Sequence, residues 1–599
     1  MRRDHALTGA LAILLVALVL GPSLGDLTGT ALGMPGDNLS HVWGQWWVRV
    51  RVLVDHAMPL TAERIWFPHG GGFFSLDTGG VLMTAPLHLL LEPVAAFNLQ
   101  AVVQLLLAVA AGTALARRVG VLGPTATIAG VVFAFHAWVL AFPLASGVSE
   151  ALIFWPLPLV AIGALDTLTR PGWRGPALLA PTLGFVALAS PIYGVMGGLG
   201  TLGIGVGWLV TRPWKRDQLR RGLMQAAGTG ALLLLLMVPL LLAIQGTTTG
   251  SSPIYPRESG VFSPLNPLWL PSTTVLSLSD LFMPGEGGLH QAKHGVDRLL
   301  YSGYLGFGVL GLAGFGVWKT GRPARLAALV GGLGVVLAMG VRIFADHALA
   351  GPSLWNPLYL ALFHAMPLFH TTLHSVDRFL VPGMLGLGVA AAMGLRVLVQ
   401  ERPWRVQAAA TVAAALLIVV EVIAVSPAPW PLPTTPAGPH PVSLALAQDA
   451  RPGAVIDLPF RVDGFLVTDM LFQQTTHGRP IPYRMSGVGG EVVAPAVWGS
   501  ALFQRAVTPL MEADRRRATR CEGAAELADA GFGWFIVRRD RMDAATGLAV
   551  EVPLRACLGD PEVYDNAALY RIDPSMAEND SLWNPRHWAP PLPQGVGGP

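Results

Sequence analysis

Charge is scarce in this chain. Only 13% of its 599 residues are Asp, Glu, Lys or Arg, about half the share found in soluble globular domains. Lysine is scarcer still: Lys215, Lys293 and Lys319 stand against 37 arginines, and the net charge is only +3. We read that imbalance as compositional bias. No lysine follows a glycine, which excludes a Walker A phosphate loop. There is no HExxH zinc motif. Two cysteines, Cys521 and Cys557, are too few for a cysteine-rich metal site. GPSLG at 21–25 matches G-x-S-x-G, but it ends an apolar run instead of joining a strand to a helix, as a nucleophile elbow must. No basic-aromatic platform is present, so nucleic acid is not an expected partner.

Apolar residues make up 52% of the chain and the mean hydropathy is +0.52. This is the composition of a polytopic membrane protein. We expect a mainly α fold with eleven spans, near 6–24, 94–116, 120–140, 149–168, 176–191, 193–210, 223–245, 300–318, 324–342, 378–398 and 406–425. Each approaches the roughly 20 residues that cross the hydrocarbon core. The 176–210 pair is the shortest and also fits a re-entrant hairpin. The first run is longer than a signal-peptide core and no A-x-A site follows it, so we read it as an uncleaved span.

Arginine and lysine test this map. They gather at Arg2-Arg3, Arg117-Arg118, Arg170 with Arg174, 212–221, 319–325 and 396–405, in every second loop. The positive-inside rule makes those loops cytoplasmic. The N-terminus is then cytoplasmic, and segments 25–93, 141–148, 246–299, 343–377 and everything after 426 are external.

The domains expected are a transmembrane domain over 1–425, a proline-rich linker over 426–441, an external α/β domain over 442–575 and a disordered tail over 576–599. Within the first, 25–93 is an external loop with membrane-lying helices and 246–299 is a large external loop. Trp43, Trp46, Trp47, Val50 and Val54 recur at near-helical spacing, as in an amphipathic interfacial helix. In the external α/β domain, AVIDLPF (454–460) and WFIVRRD (534–540) read as buried strands, and VYDNAALYRI (563–572) as a turn and a strand. Outside the cytoplasm Cys521 and Cys557 can pair as a disulfide; two buried thiols are the alternative.

Ionisable groups at the membrane are functional candidates. Asp37 comes first, in GMPGDNLSHVWGQWW (33–47). Two readings stand: a helix N-cap, or a general base at the membrane surface with His41 one turn on. Arg378, in FHTTLHSVDRFLVP, is either a phosphate ligand or a snorkelling arginine paired with Asp377. Glu150 begins a span and is either functional or simply favoured at a helix N-terminus. The other external candidates are Arg257, His69 and Asp77, with Asp55, Glu63, Glu92, Glu258 and Asp280. His290 and His294 have i, i+4 spacing but no evident third ligand.

The chain resembles bacterial GT-C-type glycosyltransferases, integral membrane enzymes that use polyprenyl-phosphate sugars. The resemblance is carried by the acidic start of the first external loop at Asp37. It is carried too by ERIWFPHGG (63–71), PVAAFNLQAVVQLLLAVAAGTALARRVG (93–120), LLYSGYLGFGVLGLAGF (299–315), HSVDRFLVPGMLGLGVAAAMGL (374–395) and GAVIDLPF with QQTTHGRPIPYRMS (453–486). Asp37 is followed by Asn38, where protein O-mannosyltransferases carry an Asp-Glu pair. The later Asp-x-Asp of oligosaccharyltransferases is absent.

The resemblance implies an inverting hexosyltransferase of the bacterial inner membrane. Its partners would be the lipid bilayer, a polyprenyl-phosphate-linked sugar donor, and a glycan, lipid or protein acceptor. Asp37 and His41 would be catalytic, and Arg378 and Arg257 would hold the donor phosphate. No cofactor is required by these readings, and a divalent metal is left open. Two alternatives remain at this stage: a non-catalytic transport or assembly protein for envelope polysaccharide, and a membrane-anchored glycan-binding module.

Overall fold

The computed structural model describes residues 2–59, 61–72, 78–211, 216–248, 276–282, 302–344, 353–365, 376–459, 465–483, 493–507 and 523–573. The chain divides into two compact units. The first comprises Met1–His56, Phe74–Gly246 and Pro256–Ala437; the second comprises Ala57–Phe73, Thr247–Tyr255 and Gly438–Pro599.

The first unit is built from helices α1 (Arg2–Leu20), α2 (Asp37–Arg49), α3 (Thr78–Thr84), α4 (Pro93–Arg118), α5 (Thr127–Ala134), α6 (Pro156–Thr169), α7 (Arg174–Ala189), α8 (Pro191–Thr211), α9 (Arg216–Thr248), α10 (Phe307–Thr320), α11 (Arg322–Ala338), α12 (Leu380–Val399) and α13 (Trp404–Val425). Among the described residues seven helices are long and apolar enough to cross a bilayer. An eighth forms if the bent pair Pro124–Ala134 and Ala137–Ala145, inclined at 44°, is one span. The three other expected spans fall on α7, α10 and α11, with 16, 14 and 17 residues. These are shorter than the roughly 20 residues of a full crossing.

The burial pattern is that of a membrane protein. Leu202, Val210, Leu234, Leu235 and Leu417 are exposed, whereas Asn98, Gln100, Gln104, Asp377 and Arg378 are buried. In lipid the apolar face turns outward and polar groups find each other inside. Glycines let the helices approach. A Cβ at Gly112 would collide with the backbone of Gly130, joining α4 to α5. A Cβ at Gly334 would collide with Gly383, joining α11 to α12. Small residues at such crossings are the usual basis of helix packing in bilayers.

A short antiparallel ladder ties the two ends of this unit. β1 (Thr30–Leu32) pairs with β2 (Thr434–Pro436), Ala31 opposite Thr435. The tryptophans expected at the membrane surface are placed otherwise. Trp43 and Trp47 are fully buried and stack at 5.9 Å, while Trp46 is half-buried. Their i, i+4 spacing faces the interior of the bundle, where two indoles bury more apolar area than at an interface.

The second unit holds a four-stranded sheet. β3 (Ala454–Leu458) lies parallel to β4 (Phe532–Arg538), which pairs antiparallel with β6 (Ala567–Arg571), followed by β5 (Glu562–Tyr564) at the edge. All five residues of β3 are buried, as expected of a strand covered on both faces. β5 and β6 turn on Asp565-Asn566, with Asp565 at φ 49°; Asp and Asn tolerate this left-handed conformation in tight hairpins.

Residues 57–73 lie in the first external loop of the sequence reading but cluster with this unit. Trp66 N donates to Tyr483 O at 2.9 Å, and the Phe67 ring meets the Phe532 ring edge-on. Cys557 is disulfide-bonded; Cys521 lies outside the described residues.

Candidate functional site

The site begins with two glycines. Gly33 (φ 102°) and Gly147 (φ 74°) bring two loops of the first unit into backbone contact, and a Cβ on either would strike the other segment. Met34 N donates to Ala145 O at 2.8 Å. Asn38, fully buried, completes the junction. Its Nδ2 donates to Leu32 O, Gly33 O and Thr435 Oγ1, the last at 2.9 Å. The first turn of α2 is thereby fixed against the 3-10 turn Ser149–Leu152 that carries Glu150.

Glu150 is the hub. Its Oε2 lies 3.1 Å from His41 Nε2, and its Oε1 accepts from Arg378 Nη2 at 2.9 Å. The His41 and Arg378 side chains are 3% and 4% exposed, that of Glu150 20%. This carboxylate therefore joins residues from three distant stretches of chain. Arg378 precedes α12, in the 3-10 turn Val376–Phe379. Its Nη1 also reaches Ser190 Oγ at 3.5 Å, while its Nε has no hydrogen-bond partner among the described residues. The guanidinium stands 5.5 Å from the centre of the Phe142 ring and 6.0 Å from that of Tyr193. Both fall within cation–π range. Tyr193 is held by a 2.7 Å bond from its hydroxyl to Ala151 O. Asp377, the sequence neighbour considered as the partner of Arg378, accepts from the Trp138 indole.

Asp37 is the first residue of α2, and Gly36 occupies the N-cap position. An acid there favours the helix N-terminus. Asp37 precedes His41 by one turn, a rise of about 6 Å. His41, Glu150 and Arg378 thus meet in the first unit, and Asp37 stands one helical turn before His41. His69 belongs to the second, with its ring 5.4 Å from that of Trp66. Asp77, Arg257, His290 and His294 lie outside the described residues, as does most of the 246–299 loop. Among the described residues no three His, Cys, Asp or Glu gather closely enough to hold a metal ion.

Sequence reasoning missed Ser190, Tyr193, Trp138 and the pairing of Glu150 with both His41 and Arg378. One signal was available. His136 and Trp138 interrupt an otherwise apolar stretch, and Ser190-Pro191 breaks another; polar punctuation inside a span marks an inward-facing point.

No protein-family model matches the chain, and no curated protein matches it in sequence. Among solved structures, arabinofuranosyltransferase AftD from Mycobacteria aligns over 96% of this chain and 41% of its own length, at 16% identity and a TM-score of 0.50. The chain thus spans about two-fifths of that protein. The apo oligosaccharyltransferase of Archaeoglobus fulgidus aligns over 96% of this chain and 72% of its own, at 13% identity and a TM-score of 0.46. With its multiple apolar helices and the likeness to AftD, the chain is a multi-pass membrane protein with a GT-C-type fold.

Proposed function

We propose that the chain is a membrane glycosyltransferase that moves a sugar from a polyprenyl-phosphate donor to an acceptor hydroxyl at the external face of the bacterial inner membrane. The observation that carries this reading is the His41–Glu150–Arg378 cluster of ionisable groups, with His41 and Arg378 buried, one helical turn from Asp37. Ionisable groups are expensive inside a membrane bundle and mark functional positions there. The fold by itself does not assign chemistry.

In the proposed reaction the acceptor oxygen attacks the anomeric carbon while Asp37 takes its proton. The bond from that carbon to the phosphate oxygen breaks, and its electron pair leaves with the phosphate. One displacement inverts the anomeric centre. Arg378, fixed through Nη1 and Nη2, offers Nε to the developing phosphate charge, the kind of preorganised stabilisation that lowers such barriers. Arg257 is a second candidate for the same task. Glu150 acts as a positioning residue, orienting both His41 and Arg378.

The test is transfer by the full chain in nanodiscs, given polyprenyl-phosphate pentose and hexose donors and a panel of glycan, lipid and peptide acceptors. Asp37→Asn is expected to lower transfer by roughly 100-fold or more, the scale of a lost general base, while keeping the wild-type melting temperature. Full transfer by Asp37→Asn would remove Asp37 from the mechanism. If wild type transfers nothing and envelope polysaccharide assembly fails only when 438–599 is deleted, the assembly reading takes over.

A further inference from the structure

Gln104 lies in the middle of α4, one of the helices long and apolar enough to span a bilayer. It is fully buried, and neither amide atom, Oε1 nor Nε2, meets a hydrogen-bond partner among the described residues. An amide buried without partners costs several kcal/mol, by roughly 4–8 on a hydrocarbon scale. Native structures seldom keep such a group without a reason.

Its surroundings are polar too. One turn earlier on the same face of α4, Gln100 Oε1 accepts from Gln45 Nε2. Gln45 Oε1 in turn accepts from Thr84 Oγ1 at 3.3 Å. Gln45 follows His41 by four residues on α2, so the two share a helix face. A lane of uncharged polar groups therefore starts one turn from His41 and ends at Gln104.

We propose that this amide lane binds the hydroxyl groups of the donor's sugar, with Gln104 as a direct contact. The proposal rests on the reading of the chain as a lipid-linked sugar transferase. A primary amide donates and accepts at once, as a sugar hydroxyl does. It has no charge with which to grip a phosphate, a task suited to arginine. The lane and Arg378 thus divide the donor: sugar to the amides, phosphate to the guanidinium.

The test uses the full chain in nanodiscs and three probes: bare polyprenyl phosphate, a polyprenyl-phosphate pentose and a polyprenyl-phosphate hexose. Wild type is expected to bind one sugar-bearing lipid more tightly than the bare lipid. Gln104→Leu should weaken that sugar-bearing complex by about tenfold, the scale of a lost hydrogen bond, and leave the bare lipid unchanged. Unchanged sugar-lipid affinity with a raised melting temperature would overturn the proposal, since the amide would then be only a buried cost met by water. Equal weakening for both kinds of lipid would also overturn it, as would equal wild-type affinity for all three. Should Gln104→Leu fail to fold, Gln104→Met serves with the same readings. If wild type binds none of the lipids, the proposed function falls first and this inference with it.

Discussion

Two carboxylates, one in each unit, are held by several donors, and the contrast between them is instructive. Glu551 in helix α14 (Ala544–Leu558) accepts from Arg539 Nε and Nη2 at 2.6 and 2.8 Å, and from the Tyr570 hydroxyl at 2.8 Å. Its partners stand 12 and 19 residues away. Glu150 reaches Arg378 across 228 residues. Short-range ties form with little loop-closure cost and brace a local corner, here helix against sheet. A tie across the whole bundle exists only once the fold is complete, so what it organises is a meeting point of distant segments.

Three variants would break or sharpen this contrast. The largest effect is expected from Glu150→Gln, which leaves the buried Arg378 guanidinium without its counter-ion. Removing one member of a buried pair costs about 3–5 kcal/mol. A marked fall in melting temperature should follow, and the double variant Glu150→Gln/Arg378→Met should recover most of it. A single variant that melts like wild type would show that Glu150 does not hold Arg378.

Glu551→Gln should cost less, about 1–3 kcal/mol for the disrupted hydrogen bonds, with a recognisable pH signature. Burial raises the Glu551 pKa, but the Arg539 and Tyr570 hydrogen bonds outweigh it and hold the carboxyl below its usual value. A depressed carboxylate pKa contributes stability that is present above the unfolded pKa and lost as pH falls through the folded one. Wild type should therefore lose more stability than Glu551→Gln when melts at pH 6 and below pH 4 are compared. Equal losses would remove Glu551 as the source.

His477 should give the smallest effect. Burial, with Arg479 and Arg538 nearby, lowers its pKa to about 3. Its Nδ1 accepts from Arg479 N at 3.1 Å, which requires the neutral ring. Stability is then complete above about pH 6.5 and declines toward pH 3, because only the unfolded imidazole takes a proton in that window. His477→Asn should flatten the melting-temperature profile between pH 7 and 5. An unchanged slope would count against the neutral ring.

Much of the helical layout was legible, because apolar runs of span length carry their own signal. The ends of the spans were less so: α10 starts at Phe307, where the sequence suggests 300. Hydropathy also cannot tell a tryptophan bound for the interface from one bound for the bundle interior, and Trp43 and Trp47 went inward. At the site, Asp37, His41, Glu150 and Arg378 could each be nominated from polarity in an apolar setting. Their connectivity could not, since nothing in a linear sequence says that residue 150 meets residues 41 and 378. Nor did it reveal that Gln45 and Gln100 bond, because a glutamine in a span draws less attention than a charge.

The ladder between Thr30–Leu32 and Thr434–Pro436 has a consequence in time. Strand one leaves the ribosome about 400 residues before strand two, an interval on the order of tens of seconds at ordinary elongation rates. Throughout that interval Asn38 lacks the Thr435 hydroxyl that it meets in the finished molecule. The last-made stretch of the bundle closes the first, so a nascent or truncated chain that ends before Thr434 carries the residues of the site without the clasp that sets them.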